Sequence, residues 1–179
     1  MELEIRSKVL NKGLFEEKLK QLPSIRIKKS GEREVDTYVR QPGSDGSNII
    51  FRIRRKQSGS VFTVKTSSSS EKRDILWHDV DMPLAAPDIL EEILMSNGWK
   101  YVVIIDKVRD SFECGEFEIN YDNIVDLGIF VEIEYQAKDK EDTEIKLREM
   151  KKVLAFLGCL ENDIINKGYV KLMLEKHSL

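Results

Sequence analysis

The residues able to do chemistry in this sequence come mostly as same-sign pairs set two positions apart. Arg52 and Arg54 stand in "FRIR", and Lys107 and Arg109 in "DKVRD". Lys65 ends "FTVK", two positions after Thr63. The acids repeat the spacing: Glu2 and Glu4 in "ELEIR" ahead of Arg6, Asp79 and Asp81 in "HDVDM", Glu118 and Asp122 around Asn120 in "EFEINYD", and Glu132 and Glu134 in "FVEIEY". Clustered Arg and Lys grip phosphate oxygens, Arg with a two-pronged fork. Clustered carboxylates hold hard divalent ions such as Mg2+ or Mn2+. An ion between carboxylate and phosphate lets both signs of charge share one space. No GxSxG elbow, Walker loop or catalytic histidine accompanies them, and "GSDGSN" lacks the Walker lysine and reads as a turn.

A spacing of two places both members of a pair on one face of a β-strand. The opposite faces carry Phe51, Ile53, Phe62, Val64, Val80, Phe117, Ile119, Val131 and Ile133, with Asp106 and Asp110 breaking the pattern on their strand. Strand by strand, this also describes an antiparallel sheet with one solvated face. A curled or closed sheet would instead gather basic and acidic strands around one cavity.

The elements that must position these residues follow from period and punctuation. Strands are expected over 2–10, 24–39, "IIFRIRRK", "SVFTVKT", "DILWHDVDM", "WKYVVIIDKVRDSF", "EFEINYD" and "LGIFVEIEYQA". Helices are expected after the Asn11 cap up to Pro23, over 87–97, over "DKEDTEIKLREMKKVLAFLG", and from about 168 to 176. "SSSSEKR" reads as a polar turn and "RIKKSGER" as a solvated basic turn. "IIFRIRRKQSGSVFTVK" and "IIDKVRDSFECGEFEIN" share a pattern, which suggests equivalent hairpins in the two halves of a roughly twofold sheet. Strands outnumber helices without strict alternation, so the expected class is α+β with antiparallel pairing, and one domain over 1–179.

The totals exclude several classes. Net charge is −3 although 34% of residues are charged, so no basic excess advertises nucleic acid. Cys114 and Cys159 form no CxxC, and with His78 and His177 they match no zinc spacing. No apolar run reaches the ~18 residues of a membrane span, and the chain opens on charge rather than a signal peptide. A reducing cytoplasm is the expected location.

In order along the chain, these segments resemble the CYTH, or triphosphate tunnel metalloenzyme, family. "ELEIR" is similar to its ExExK signature, with arginine in place of lysine. "DTYV" resembles its D-x-Y strand end, "FRIR" its LRIR strand, "FTVK" its strand ending in lysine, and "DKVRDSF" its K-x-R strand. "INYDNIVDLGIFVEIE" resembles its D-x-V-x-x-L-G-x-F-x-E-I-E segment, the most specific of the set.

The resemblance implies a closed or nearly closed antiparallel barrel of about eight strands with flanking helices, charged inside. It implies metal-binding acids at Glu2, Glu4, Asp122, Glu132 and Glu134, with Asp79 and Asp81 as auxiliaries at a position where the family often has Glu-x-Glu. It implies triphosphate-binding bases at Arg52, Arg54, Lys65, Lys107 and Arg109, with Arg6 and Lys65 in catalytic roles and Mg2+ or Mn2+ as cofactor. The substrate class is a nucleoside, thiamine or inorganic triphosphate. Hydrolysis is the expected reaction. Cyclisation of ATP, binding without turnover, and a domain whose charged face meets a partner stay open. The His-Phe element that cyclases of this family can carry upstream of the signature has no counterpart, since only Met1 precedes Glu2. By analogy the protein would be a homodimer, with no nucleic-acid or membrane partner.

Overall fold

A computed structural model describes residues 2–44, 49–67, 76–137 and 142–178. Most of "SSSSEKR" and the end of "GSDGSN" lie outside these residues. In chain order the elements are β1 (Glu2–Lys8), α1 (Lys12–Lys20), β2 (Ile25–Arg40), β3 (Ile49–Lys56), β4 (Ser60–Ser67), β5 (Leu76–Leu84) and α2 (Pro87–Ser96). Then follow β6 (Lys100–Cys114), β7 (Phe117–Ile124), β8 (Gly128–Gln136), α3 (Asp142–Phe156), β9 (Ile164–Ile165) and α4 (Tyr169–His177).

Eight strands close into an antiparallel barrel in the order β5-β4-β3-β2-β6-β7-β8-β1, and β1 returns to β5. The closing seam is short: Glu2 pairs with Trp77 and Leu3 with Leu76. Further along, β9 takes the same edge of β1, pairing Arg6 with Ile165 and Ser7 with Ile164. The expected class holds, an α+β fold built on a closed sheet.

The twofold pattern is present, with a shifted correspondence. β2 lies beside β6 and β1 beside β5, so the halves match as β1–β4 onto β5–β8, and α1 and α2 follow equivalent strands. The hairpin β3–β4 therefore corresponds to β7–β8, not to β6–β7 as the sequence echo suggested. Base-x-base recurs on β3 and β6 because both face the interior, whatever their place in the repeat. "RIKKSGER" is also not a turn: it is the first half of β2, paired with β6 through bulges around Lys29 and Glu32. Gly31, at φ 65°, lies within the bulged stretch between Lys29 and Glu32.

Local signals set the helix ends. The Asn11 side chain accepts from the Leu14 N–H at 3.1 Å, a cap of ordinarily about 1 kcal/mol. Pro87 occupies the first turn of α2. Gly158, at φ 87°, ends α3, and a Cβ there would meet the Leu14 side chain at 3.0 Å.

The outward faces of β1, β7 and β8 supply Leu3, Ile5, Ile119, Val131 and Ile133, which are buried under Phe15 and Leu19 of α1 and Met150 and Leu154 of α3. A second apolar cluster lies inside the barrel. Along β6 the inward residues change from Arg109 and Lys107 to Ile105 and Val103; along β7 from Asp122 to Ile124; along β8 from Glu132 to Phe130. Tyr169 and Met173 of α4 pack on this patch. Thus α4 fills one side of one barrel end, and the charged residues occupy the remaining interior. Among the described residues no helix is long and apolar enough to cross a membrane.

Candidate functional site in the barrel interior

Side-chain alternation delivers the charged positions of the barrel strands to one cavity of about 400 Å3. Arg6, Arg52, Arg54, Lys65, Lys107, Arg109, Glu2, Glu4, Glu132, Glu134, Asp79 and Asp81 all line it. Of the residues singled out in the sequence, Asp122 alone does not. It is fully buried behind the cations, on the β7 position opposite Arg109.

The cations are held in place by acids. Arg109 donates to both Asp122 oxygens at 2.6 Å and to Glu132 at 2.9 Å. Arg54 makes the same two-pronged contact with Asp36, at 2.6 and 2.7 Å. Lys107 lies 3.4 Å from Glu34 and 3.5 Å from Asp122. Burial alone would raise the carboxyls, but these partners overcome it. Asp36 and Asp122 lie well below the usual carboxylate range, and Glu132, beside Arg6 and Arg109, is held at about 2. Lys107 moves the other way, lowered by burial and by Arg109.

Arg52 is the least committed of the group. It donates to the Thr63 hydroxyl at 2.8 Å, and Thr63 donates on to Asp81 at 2.6 Å. Its buried Nε has no hydrogen-bond partner. A buried guanidinium N–H without a partner leaves Arg52 with an unused donor.

The acids at the seam are arranged differently. Glu2, Glu4 and Glu134 bring one oxygen each to within 4.8 Å of one another. Register explains the approach: Glu4 stands opposite Glu134 on β8, and Glu2 follows one pleat along. Burial and Glu132 push Glu134 up to about 8, and burial raises Glu2. Lys65 lies 3.7 Å from both Glu2 and Glu4 and 3.0 Å from Asp79, with its ammonium over the Trp77 ring. The three carboxyl groups crowd one another, and burial raises Glu2 and Glu134. All-oxygen donors at this spacing fit a hard divalent cation such as Mg2+ or Mn2+.

Arg6, in the lysine position of the signature, is fully engaged. It donates to Glu132 Oε1 from Nε at 2.9 Å and from Nη2 at 2.7 Å, pairs with Glu4, and donates to the Lys167 carbonyl at 2.8 Å. The Tyr169 ring packs against it, and the Tyr169 hydroxyl donates to Asp122 at 3.0 Å.

Glu34, Asp36, Tyr38 and Tyr169 are among the interior residues the sequence reading did not single out as site residues. "EVDTY" carries the same alternation as the other strands, so Glu34 and Asp36 were readable as a pair. Nothing in the helical period of "YVKLMLEKH" distinguishes Tyr169 from an ordinary core residue.

With this geometry in hand, the comparisons with known proteins are decisive for the family. The CYTH domain model matches residues 1–169. The chain belongs to the CYTH domain family. A Methanocaldococcus jannaschii protein named as a putative adenylate cyclase is 25% identical over 173 residues, covering 96% of this chain and 98% of the relative. The structure of a Pyrococcus horikoshii protein superposes with a TM-score of 0.82 at 21% identity, covering 96% of this chain and 99% of that one. A Hippeastrum protein, described as a putative adenylyl cyclase with a dominant triphosphatase activity, has a TM-score of 0.65 at 13% identity, covering 99% and 96%. This CYTH chain shares the fold of both.

Proposed function

We propose that this CYTH protein binds a triphosphate in its barrel together with a divalent cation and hydrolyses it. The observation that carries this reading is the interior itself, where Arg52, Arg54, Lys107 and Arg109 on two strands share one cavity with a carboxylate trio. Membership of the CYTH family supports triphosphate chemistry, and the Hippeastrum neighbour's described activity agrees with hydrolysis.

Arg52, with its spare donor, would receive the phosphate chain first. Arg54, Lys107 and Arg109 would hold the remaining oxygens, their forks fixed by Asp36 and Asp122 before substrate arrives. Preorganised donors of this kind stabilise charge developing in phosphoryl transfer without needing a protein nucleophile. Glu2, Glu4 and Glu134 would hold the cation, and Lys65 would bridge that cluster to the phosphates. When bound, Mg2+ or Mn2+ supplies neutralisation of phosphate charge. Asp79 positions Lys65, and Asp81 positions Arg52 through Thr63. Glu132 and Asp122, committed to guanidinium groups, serve as anchors. Arg6 acts as a positioning residue for Glu4, Glu132 and the segment before α4. The free thiols Cys114 and Cys159 fit a reducing cytoplasm.

Cyclisation is the second reading, and the Methanocaldococcus relative's name favours it. There the ribose 3′-hydroxyl of ATP attacks the α-phosphorus and pyrophosphate leaves. One assay separates the two. The protein is incubated with ATP, thiamine triphosphate and inorganic tripolyphosphate, with Mg2+ and then Mn2+, while phosphate and cyclic AMP are followed. Phosphate release without cyclic AMP is expected. Unchanged triphosphate affinity in both Arg52→Ala and Arg54→Ala would overturn the assignment of the cavity.

A further inference from the structure

The two halves of the barrel finish their seam edges differently. When α1 is laid on α2, Lys12 matches Pro87. The same offset matches Glu4 with Asp79, Arg6 with Asp81 and Ser7 with Met82, and at the seam Glu2 faces its own counterpart, Trp77. Past the seam, the edge of β1 is covered at Arg6 and Ser7 by β9. The matching edge of β5 is open: from His78 to Leu84 this strand pairs with β4 alone among the described residues. Asp79 shows the opening. Its side chain is only 22% exposed, yet the residue as a whole is exposed, so the bare surface there is largely backbone.

The outer surface repeats the difference. In the first half, Met150 and Leu154 of α3 cover Leu3 and Ile5, Leu14 of α1 stands against Gly158, and Lys18 lies over the Phe156 ring. The positions on α2 that match Leu14 and Lys18 are Ile89 and Ile93, both exposed. On the outer face of β5, Val80 is 58% exposed and Met82 41%. Among the described residues no helix takes the place of α3 there.

Unpaired N–H and C=O groups beside an apolar row are a template for a further strand. Sheet edges that stay single are commonly blunted by lysine or by a bulge. The stretch from His78 to Met82 has no lysine, and its register with β4 runs without a shift. Pro83 has no N–H to give and ends the usable stretch. A strand added to this edge alternates its side chains between the same two faces as β5. On the cavity side it meets Asp79 and Asp81, and the Asp81 side chain is 62% exposed. On the outside it meets Val80 and Met82. Bases on one face and apolar residues on the other therefore complement the edge.

We propose that the free edge of β5, from His78 to Met82, is a docking site for an extended segment of a partner protein in which basic and apolar residues alternate. The segment adds to the sheet as a strand, its bases toward Asp79 and Asp81 and its apolar side chains over Val80 and Met82. This docking stands apart from the triphosphate reading and does not depend on it.

The test is calorimetry and amide hydrogen exchange on the whole protein with two probes: a blocked heptapeptide alternating lysine with valine, and its counterpart with glutamate for lysine. In the protein alone, the amides of His78–Met82 that face away from β4 should exchange about tenfold or more faster than those paired inside the sheet. The lysine peptide should bind with a dissociation constant of about 1 mM or below. It should slow the exchange of those amides and bind about tenfold or more tightly than the glutamate peptide. Val80→Lys, on the exposed outer face, should weaken it by about tenfold. No binding, equal binding of the two peptides, binding that Val80→Lys leaves unchanged, or protection that falls elsewhere overturns the inference. Edge amides already protected in the protein alone overturn it too, and protection that grows with protein concentration assigns the edge to a second copy of this chain instead.

Discussion

Glu132 and Glu134 leave β8 on the same face, one pleat apart, and enter different neighbourhoods. Glu132 lies between Arg6 and Arg109 and is held at about 2. Glu134 is partly buried beside Glu132, Glu2 and Glu4; desolvation and the repulsion of Glu132 push it up to about 8, and Arg109 is 3.8 Å away. The same residue type, in one short motif, thus divides into an anchor for two guanidinium groups and a member of a carboxylate cluster. A carboxylate that already satisfies two guanidinium groups has little left for a cation. A carboxylate packed against other carboxylates gains from one. The comparison extends along both walls: Asp36 and Asp122 side with Glu132, Glu2 sides with Glu134, and Glu4 stands between, close to Glu134 and paired with Arg6.

The largest effect should come from the anchor. Glu132→Gln leaves Arg6 and Arg109 buried with a partner missing, and removing one member of such a network costs about 3–5 kcal/mol. Urea unfolding should show this loss. A change below 1 kcal/mol, on the order of an exposed pair, would erase the distinction between the two acids. Glu134→Gln should do the reverse, leaving the urea midpoint unchanged or raised while weakening Mn2+ binding by about tenfold or more in calorimetry. Loss of stability with intact Mn2+ affinity would exchange their roles.

The pH dependence refines the same contrast. The folded-state pKa of Glu134 is raised, so its contribution to stability is fully present below the ordinary carboxylate pKa and is lost as pH rises through about 8. Metal-free protein should therefore lose stability between about pH 4.5 and 8 from this group, and Glu134→Gln should flatten that slope. A cation must displace the same proton, so Mn2+ affinity should climb by up to about tenfold per pH unit from pH 6 to 8, with proton release measurable in two buffers. Affinity independent of pH would remove Glu134 from the cation's ligands. The smallest effect is expected at Tyr169→Phe, which keeps the ring against Arg6 and removes only the hydrogen bond to Asp122. The cost should be about 1 kcal/mol, read as a shift of the thermal midpoint, against a larger loss for Tyr169→Ala.

Much of the fold was legible because period and register obey the same rule. "FRIR", "FTVK" and "FVEIE" alternate, a strand alternates, and a closed barrel turns alternation into inside and outside. The Asn11 cap and the Gly158 stop were readable for similarly local reasons. What was not legible depends on contacts between distant segments. "ELE" and "EIE" look alike as letters, and only the β1–β8 register makes Glu4 the neighbour of Glu134 and Arg6 the partner of Glu132. The change from charged to apolar inward residues along β6 was visible as "VVIIDKVR". Its meaning required α4, which arrives from the far end of the sequence to cover Val103 and Ile105. The basic stretch at 26–33 lies inside the strand expected over 24–39 and observed as β2; only its reading as a solvated turn fails, because backbone pairing with β6 makes it strand.

The bond from Arg6 to the Lys167 carbonyl spans 161 residues of sequence. Arg6 lies on β1, and its surroundings are complete only with the segment ahead of α4 in place. Contacts of such separation close very long loops, and the entropy of closure must be met before they form. Five of the barrel's strand pairs join consecutive strands, whereas β2–β6, β1–β8 and β1–β5 join strands far apart in sequence. The charged interior cannot be finished by pairing consecutive strands, because its clasp joins opposite ends of this sequence. The site therefore rests on the longest-range contacts of the fold: β1 meeting β8 brings Arg6 to Glu132, and the segment ahead of α4 adds the Lys167 carbonyl.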